Sequence, residues 1–225
     1  MADMHKKKRR STVPQKVNIP TEVKNAPRPV NWETPRQGDA ELMLARDFYE
    51  CKPGESVRLI TGEGTIWNDD RVRRALQHAL DIGVKVKCIV GPVIKVVNDS
   101  NFLLELALQK KITMYVTSRR EWTHYRVFGE RCVWVEKYHE PLAPSKERKG
   151  KYIENNNNYS LFSIYKFIKE FELTISALDL TPIKNSSELL KLEQRQIRKL
   201  KVSIRKRDEF FDDYKKEELE QLLAS

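Results

Sequence analysis

Long apolar runs are missing from this chain. No stretch approaches the ~20 consecutive apolar residues that a membrane-spanning helix needs. No apolar segment follows the basic cluster near the amino terminus, as a signal peptide would require. Cysteine is scarce: Cys51, Cys88 and Cys132 are odd in number and widely spaced. They make neither a zinc pattern nor a disulfide framework, and Cys88 and Cys132 sit in strand-like runs as small core residues. No metal and no cofactor is expected. These absences predict an intracellular protein without membrane contact, cytoplasmic or nucleoid-associated, or nuclear in a eukaryote.

What is present is enough apolar material for a real core. The 225 residues are 40% hydrophobic, which fits one domain with appendages. The formal net charge of +10 is unevenly spread. Residues 1–36 hold nine Lys/Arg against three Asp/Glu, and residues 184–207 hold nine against two. Residues 208–225 hold two against seven, which leaves the stretch 37–183 close to neutral. Charge-driven binding to nucleic acid is therefore expected to act through the ends.

The first of these ends, residues 1–36, reads as a basic, Pro-rich arm that is disordered in isolation. Pro14, Pro20, Pro27, Pro29 and Pro35 discourage helix and central strand alike. Lys6, Lys7, Lys8, Arg9 and Arg10 form a compact run that could lie along phosphates or serve as an address. The other end, 176–225, reads as a linker and one long charged helix over Ser186–Leu223. Arg195, Arg198, Lys199, Lys201 and Arg205 give its first half a basic face. An imperfect seven-residue period through Leu190, Ile197, Ile204 and Phe211 allows a protein partner there.

Between them, residues 37–175 alternate in period. A helix is expected over Asp39–Cys51, then a strand at Ser56–Thr61. Asn68, Asp69 and Asp70 supply caps and dipole-matched acids for a helix over Arg71–Ile82. A strand at Val84–Val90, a Leu-rich helix at Asn98–Lys110 and a strand at Ile112–Thr117 follow. Strand–helix–strand–helix–strand predicts an α/β fold with a mixed, mostly parallel sheet flanked by helices. Gly62-Glu63-Gly64 lacks the spacing and lysine of a phosphate loop and reads as a turn. Tyr159–Leu173 is amphipathic and expected to pack on the sheet.

The most informative stretch is a hairpin, His124–Phe128 and Arg131–Lys137 around a Gly129-Glu130 turn. Alternation puts His124, Arg126 and Phe128 on one face, so an imidazole and a guanidinium point into one place. This resembles the signature of the phospholipase D-like superfamily: a His, a Lys two residues on, an Asp five after it, then Gly-Ser-x-Asn. His124 matches the nucleophile and Arg126 falls at the phosphate-binding Lys. Arg131 occupies the Asp position, and Tyr138, His139, Glu140 and Pro141 stand where Gly-Ser-x-Asn is expected. The resemblance covers roughly residues 55–172 and implies that family's α/β fold. Arg119 and Arg120, just before the hairpin, could clamp phosphate. Asn155, with Glu154, either supplies the family's later Asn/Glu element or belongs to an Asn-rich turn capping the next helix. His139, Glu140 and Asn155 complete the expected pocket.

In the resembling enzymes one His attacks phosphorus and a second, from another copy of the motif, protonates the leaving group. This chain has one copy, so the resemblance implies a site between two subunits, hence a homodimer associating through the face that carries His124. Without the family's acidic partner, His124 is expected to lack an orienting carboxylate, with Arg131 opposing its charge. The leading expectation is thus a non-catalytic protein binding DNA or RNA. A homodimeric, metal-independent nuclease or phosphodiesterase using His124 is the alternative, and a structural or adaptor protein is the third.

Overall fold

The computed structural model describes residues 18–28, 38–62, 65–91, 102–117, 123–136 and 155–206. In chain order the elements are α1 (Thr21–Lys24), α2 (Asp39–Tyr49), β1 (Ser56–Thr61), a 3-10 turn (Thr65–Asn68), α3 (Asp70–Asp81), β2 (Lys85–Val90) and α4 (Phe102–Leu108). Then come β3 (Thr113–Val116), β4 (Tyr125–Phe128), β5 (Cys132–Glu136), β6 (Asn155–Asn158), α5 (Leu161–Ala177) and α6 (Ser186–Lys206).

Six strands form one sheet in the order β3-β2-β1-β4-β5-β6. The helical crossovers carried by α3 and α4 make β1, β2 and β3 parallel, as strands joined through helices must be. The hairpin then adds β4 antiparallel to β1, and β5 and β6 continue antiparallel. The sheet is mixed as expected, but parallel pairing does not predominate: two of its five strand pairings are parallel and three antiparallel, because the hairpin and β6 add to β1 without helical crossovers.

Local chemistry sets the element ends. Asp69 caps α3, its carboxylate accepting the Arg71 N–H at 2.9 Å, which satisfies one of the four donors a helix start leaves open. Gly83, at φ +88°, turns the chain into β2. Val72, Ala75, Leu76 and Ala79 point from α3 into the core. One sheet face packs this helix together with α2 and α4; Phe48 meets Phe128 and Trp67 edge-to-face there. The other face holds α5, whose Ile164 and Phe171 lie on Ile60, Ile89, Tyr125, Val127 and Val133. Each fully buried large aliphatic or aromatic side chain contributes roughly 1.5–3 kcal/mol.

Two sequence expectations change. The arm is not featureless: Val23 is fully buried, and Arg46 donates to the carbonyls of Ala26 and Pro27, tying residues 18–28 to α2. Pro20 precedes the short helix rather than preventing it, because proline suits a helix start. The asparagine run is strand β6, not a turn, since its backbone pairs along β5 from Glu136↔Asn155 to Val133↔Asn158. Among the described residues no helix is long and apolar enough to cross a membrane. The basic run Lys6–Arg10 lies outside the described residues, as do Arg119, Arg120, His139, Glu140 and the chain beyond Lys206.

Candidate functional site

The site sits where the hairpin meets the carboxyl end of β1. His124 directly precedes β4 and opposes Glu136, the last residue of β5, whose N–H donates to the His124 carbonyl at 2.9 Å. Directly opposed residues in an antiparallel pair present their side chains on the same face. The two side chains accordingly meet, His124 Nδ1 lying 3.0 Å from Glu136 Oε2. One row further along, Arg126 opposes Trp134. Its guanidinium donates to Glu136 Oε1 and stacks on Trp134, with Cζ 4.1 Å from the ring centroid. Trp67, brought in by the 3-10 turn and fixed by its Nε1–H to Thr61 Oγ1 at 3.2 Å, closes the other side at 5.9 Å.

Glu136 is therefore shared by Arg126 and His124. Burial pushes its carboxyl up, but the charge of Arg126 and the hydrogen bond and charge of His124 outweigh burial and hold it at about 2. An ionised carboxylate only accepts, so Nδ1 of His124 must carry the proton in this pair. The lone pair of the neutral ring then belongs to Nε2. Gly62 lies against the ring: a Cβ added there would stand 3.0 Å from Cε1 and 3.2 Å from Nε2.

The carboxylate on His124 overturns the expectation that the imidazole lacks one. It comes from the far end of the next strand, not from the position that Arg131 occupies. Arg131 lies at the opposite end of the sheet. There it donates to the Asp47 carbonyl at 2.7 Å and to Glu50 Oε2 at 3.1 Å, so it does not oppose a charge on His124. Arg126 does share the place with His124, yet it is only 2% exposed and is turned inward to Glu136.

Of the other residues singled out in the sequence, Arg195 and Arg198 are exposed on α6. Lys199, Lys201 and Arg205 lie on the same helix, and Asn155 opens β6 beside Glu136; their side-chain positions are outside what is described. The thiols offer no alternative nucleophile, since burial pushes Cys51 and Cys132 up to about 12 and Cys88 higher still. Among the described residues no group of three or more His, Cys, Asp and Glu comes together as a metal site.

No protein-family model matches the sequence, and no curated protein sequence does. Solved structures similar to the chain include Nuc from Salmonella typhimurium, a phospholipase D family member. It is 13% identical, with TM-score 0.48, over 67% of this chain and 94% of that one. NucT from Helicobacter pylori is 14% identical, with TM-score 0.49, over 62% and 89%. TrmBL2, an archaeal chromatin protein with a novel mode of DNA binding, is 14% identical with TM-score 0.46 over 62% of this chain. The chain spans about half of TrmBL2, 49% of its length. At these identities the likeness is one of fold alone.

Proposed function

We propose that this chain is a non-catalytic nucleic-acid-binding protein on a phospholipase D-like scaffold, holding the phosphate backbone of DNA or RNA through its basic extensions. The observation that carries the reading is the state of Arg126. The cation at the family's phosphate-holding position is buried, bonded to Glu136 and stacked on Trp134. At 2% exposure and with Nη2 given to Glu136, the guanidinium is out of reach of a ligand in solvent, although its Nε and Nη1 have no hydrogen-bond partner. Phosphate contacts then fall to the arm residues Lys6–Arg10, to Arg119 and Arg120, and to the α6 face of Arg195, Arg198, Lys199, Lys201 and Arg205.

A second reading, a homodimeric phosphodiesterase, is favoured by one specific contact. Glu136 orients His124 through Nδ1, the arrangement that leaves Nε2 as nucleophile or base. That chemistry needs a second histidine to protonate the leaving group, hence a second copy of the chain.

The test is a salt titration of binding with nuclease activity followed in EDTA. Log affinity for duplex DNA should fall with log salt at roughly −0.9 per phosphate contact. Deleting residues 1–17, which spares the docked segment 18–28, or changing Arg198, Lys201 and Arg205 together to Ala, should reduce both affinity and slope. His124→Ala should leave binding unchanged; abolished cleavage by that variant selects the second reading. A wild type that binds neither DNA nor RNA at low salt sinks the nucleic-acid reading and returns the chain to an adaptor role.

A further inference from the structure

Helix α5 carries two stripes of different character. Ile164, Phe167, Ile168, Phe171 and Ile175 lie on the sheet. Turned away from it, at steps of three or four residues, stand Phe162, Tyr165, Lys166, Lys169 and Leu173, all of them exposed. Phe162 is 81% exposed. A surface helix ordinarily gives its outer face to charged and polar groups. Three large apolar side chains there, two of them aromatic, mark a surface that meets a partner.

The two lysines decide which partner fits. Among the described residues neither ammonium group has a carboxylate partner; Lys166 only leans on the Phe167 ring, 5.8 Å from its centroid. By the helical period Glu170 and Glu172 fall to either side of the stripe. Glu172 already holds Arg58 at 3.1 Å and Lys87 at 3.3 Å. Glu130 accepts from the Tyr165 hydroxyl, which tethers that ring to the hairpin turn. Lys166 and Lys169 therefore stand inside the stripe, between the aromatic pair and Leu173. Covering it with lipid chains or an apolar protein face would bury both charges unpaired, and that cost opposes the gain from the apolar contacts. A second copy of the chain brings the same cations to the same stripe. The fitting partner carries anions between flat surfaces that accept a ring.

An unpaired nucleic-acid strand has that chemistry, with base faces open to stacking and a phosphate at every nucleotide. A duplex shows base edges and phosphates but keeps its base faces inside the stack. We infer that the outward stripe of α5 binds single-stranded nucleic acid, Phe162 and Tyr165 stacking on bases while Lys166 and Lys169 hold the phosphates beside them. This rests on the nucleic-acid reading above and adds to it a surface on the body of the fold, on the sheet face away from Trp134. Stacking and phosphate contacts are common to DNA and RNA, so both serve.

The experiment is fluorescence anisotropy of the full chain with labelled oligothymidylate of about twenty nucleotides, longer than single-strand sites of about 4–16 nucleotides. Oligouridylate and a duplex of equal length are run beside it. The wild type should bind the two single strands alike. Phe162→Leu keeps an apolar side chain and removes the ring; with native circular dichroism, it should weaken oligothymidylate binding about tenfold, whereas Phe162→Trp should retain it. Lys166→Gln with Lys169→Gln should lower the salt slope on the single strand by about 1.4, or about 0.7 per phosphate. Duplex affinity should stay within about twofold in all of these variants, since the basic extensions carry it. Oligothymidylate binding that Phe162→Leu leaves intact overturns the inference, while the reading through the extensions stands. So does an equal loss on duplex and single strand, or a Phe162→Leu chain that loses only self-association or binding to phosphatidylglycerol vesicles. A wild type that binds no nucleic acid at low salt removes the reading and the inference together.

Discussion

The two ends of the sheet each bury a cluster of arginine and carboxylate, and they treat the carboxylate in opposite ways. At the β1 carboxyl end, Glu136 touches Arg126 and lies 3.0 Å from His124, and its carboxyl is held at about 2. At the other end, Asp47 sits between Arg46 and Arg131, but each guanidinium stands 3.7 Å from Oδ1, and Oδ2 has no hydrogen-bond partner. There burial wins over both arginines and raises the Asp47 carboxyl to about 6. The ingredients match and the geometry decides. Direct charge-assisted hydrogen bonds outweigh the desolvation of a buried carboxylate, whereas nearby charges without them do not.

The sharpest way to break this contrast is Glu136→Gln, which keeps shape and removes charge. Arg126 would be left buried opposite a neutral amide, and stability should fall by about 3 kcal/mol at pH 7. Asp47→Asn should act with the opposite sign and gain about 2 kcal/mol at pH 7, because it removes a charge the fold disfavours. The Asp47 variant keeps the remaining contacts of its neighbours, Arg46 to the Ala26 carbonyl and Arg131 to Glu50. Urea unfolding of the two variants beside the wild type checks both. Two losses of similar size would show that the two carboxylates stabilise alike, and the comparison would fall.

The same pair separates along pH. Glu136 is depressed from 4.5, so its contribution is complete above that value and is lost as pH falls through about 2. Asp47 is raised from 3.8, so its penalty is absent below that value and grows as pH rises through about 6. The Glu136→Gln deficit should therefore shrink between pH 5 and pH 2, and the Asp47→Asn gain should vanish between pH 7 and pH 4, by the linkage of each window to its own shift. Variant-minus-wild-type stabilities measured across pH 2–8, a range spanning both windows, test this. A flat difference for either variant would mean that its carboxylate does not change state there.

How far the sequence reaches can be judged from these residues. Element types were legible wherever period and caps agreed: Asn68, Asp69 and Asp70 with the apolar stripe of Val72, Ala75, Leu76 and Ala79 predict α3 nearly to its ends. The hairpin was legible from Val, Phe and Trp flanking Gly129. The partner of His124 was not, because it depends on loop length. A two-residue Gly129-Glu130 turn would set Val135 opposite His124. The observed pairing of Phe128 with Cys132 leaves three residues in the loop and sets Glu136 there instead. One residue of register exchanges an apolar side chain for the carboxylate on which the site depends. Strand β6 was illegible for another reason: asparagine is a poor strand former, and only pairing along β5 makes it one.

A smaller effect is expected where the hairpin turns. Gly129 has φ +53°, and a Cβ there would press along the Glu55 side chain, 2.6 Å from its Cγ, so that side chain must shift and loosen its hold on the Lys52 N–H. Gly129→Ala should therefore cost the left-handed backbone, about 1–2 kcal/mol, and that contact. Both ion clusters should keep their pH behaviour. A changed pH profile would mean that the turn, and not the side-chain contacts, sets the register that seats Glu136 opposite His124.

The smallest effect on stability belongs to Gly62→Ala, yet it probes the His124 end most directly. Gly62 faces no backbone strain; its Cβ would press on the imidazole, at 3.0 Å from Cε1 and 3.2 Å from Nε2, with the Gly91 carbonyl at an ordinary 3.9 Å. The His124 side chain is 21% exposed, so the ring can give way toward solvent. The cost should be under about 1 kcal/mol, at the low end for inserting one methyl group against a neighbour that can move. The geometry should change more than the energy. Moving the ring by a few tenths of an ångström lengthens the Nδ1–Oε2 contact from 3.0 Å, while the Arg126–Glu136 pair behind it stays in place. Nitrogen shifts of the His124 ring, measured with the stability of the same sample, separate these effects. Displaced shifts with near-native stability would show that the glycine sets the imidazole against Glu136. Unchanged shifts would mean that Glu136 alone holds the ring, and that the absence of a side chain at position 62 serves only the passage of the chain.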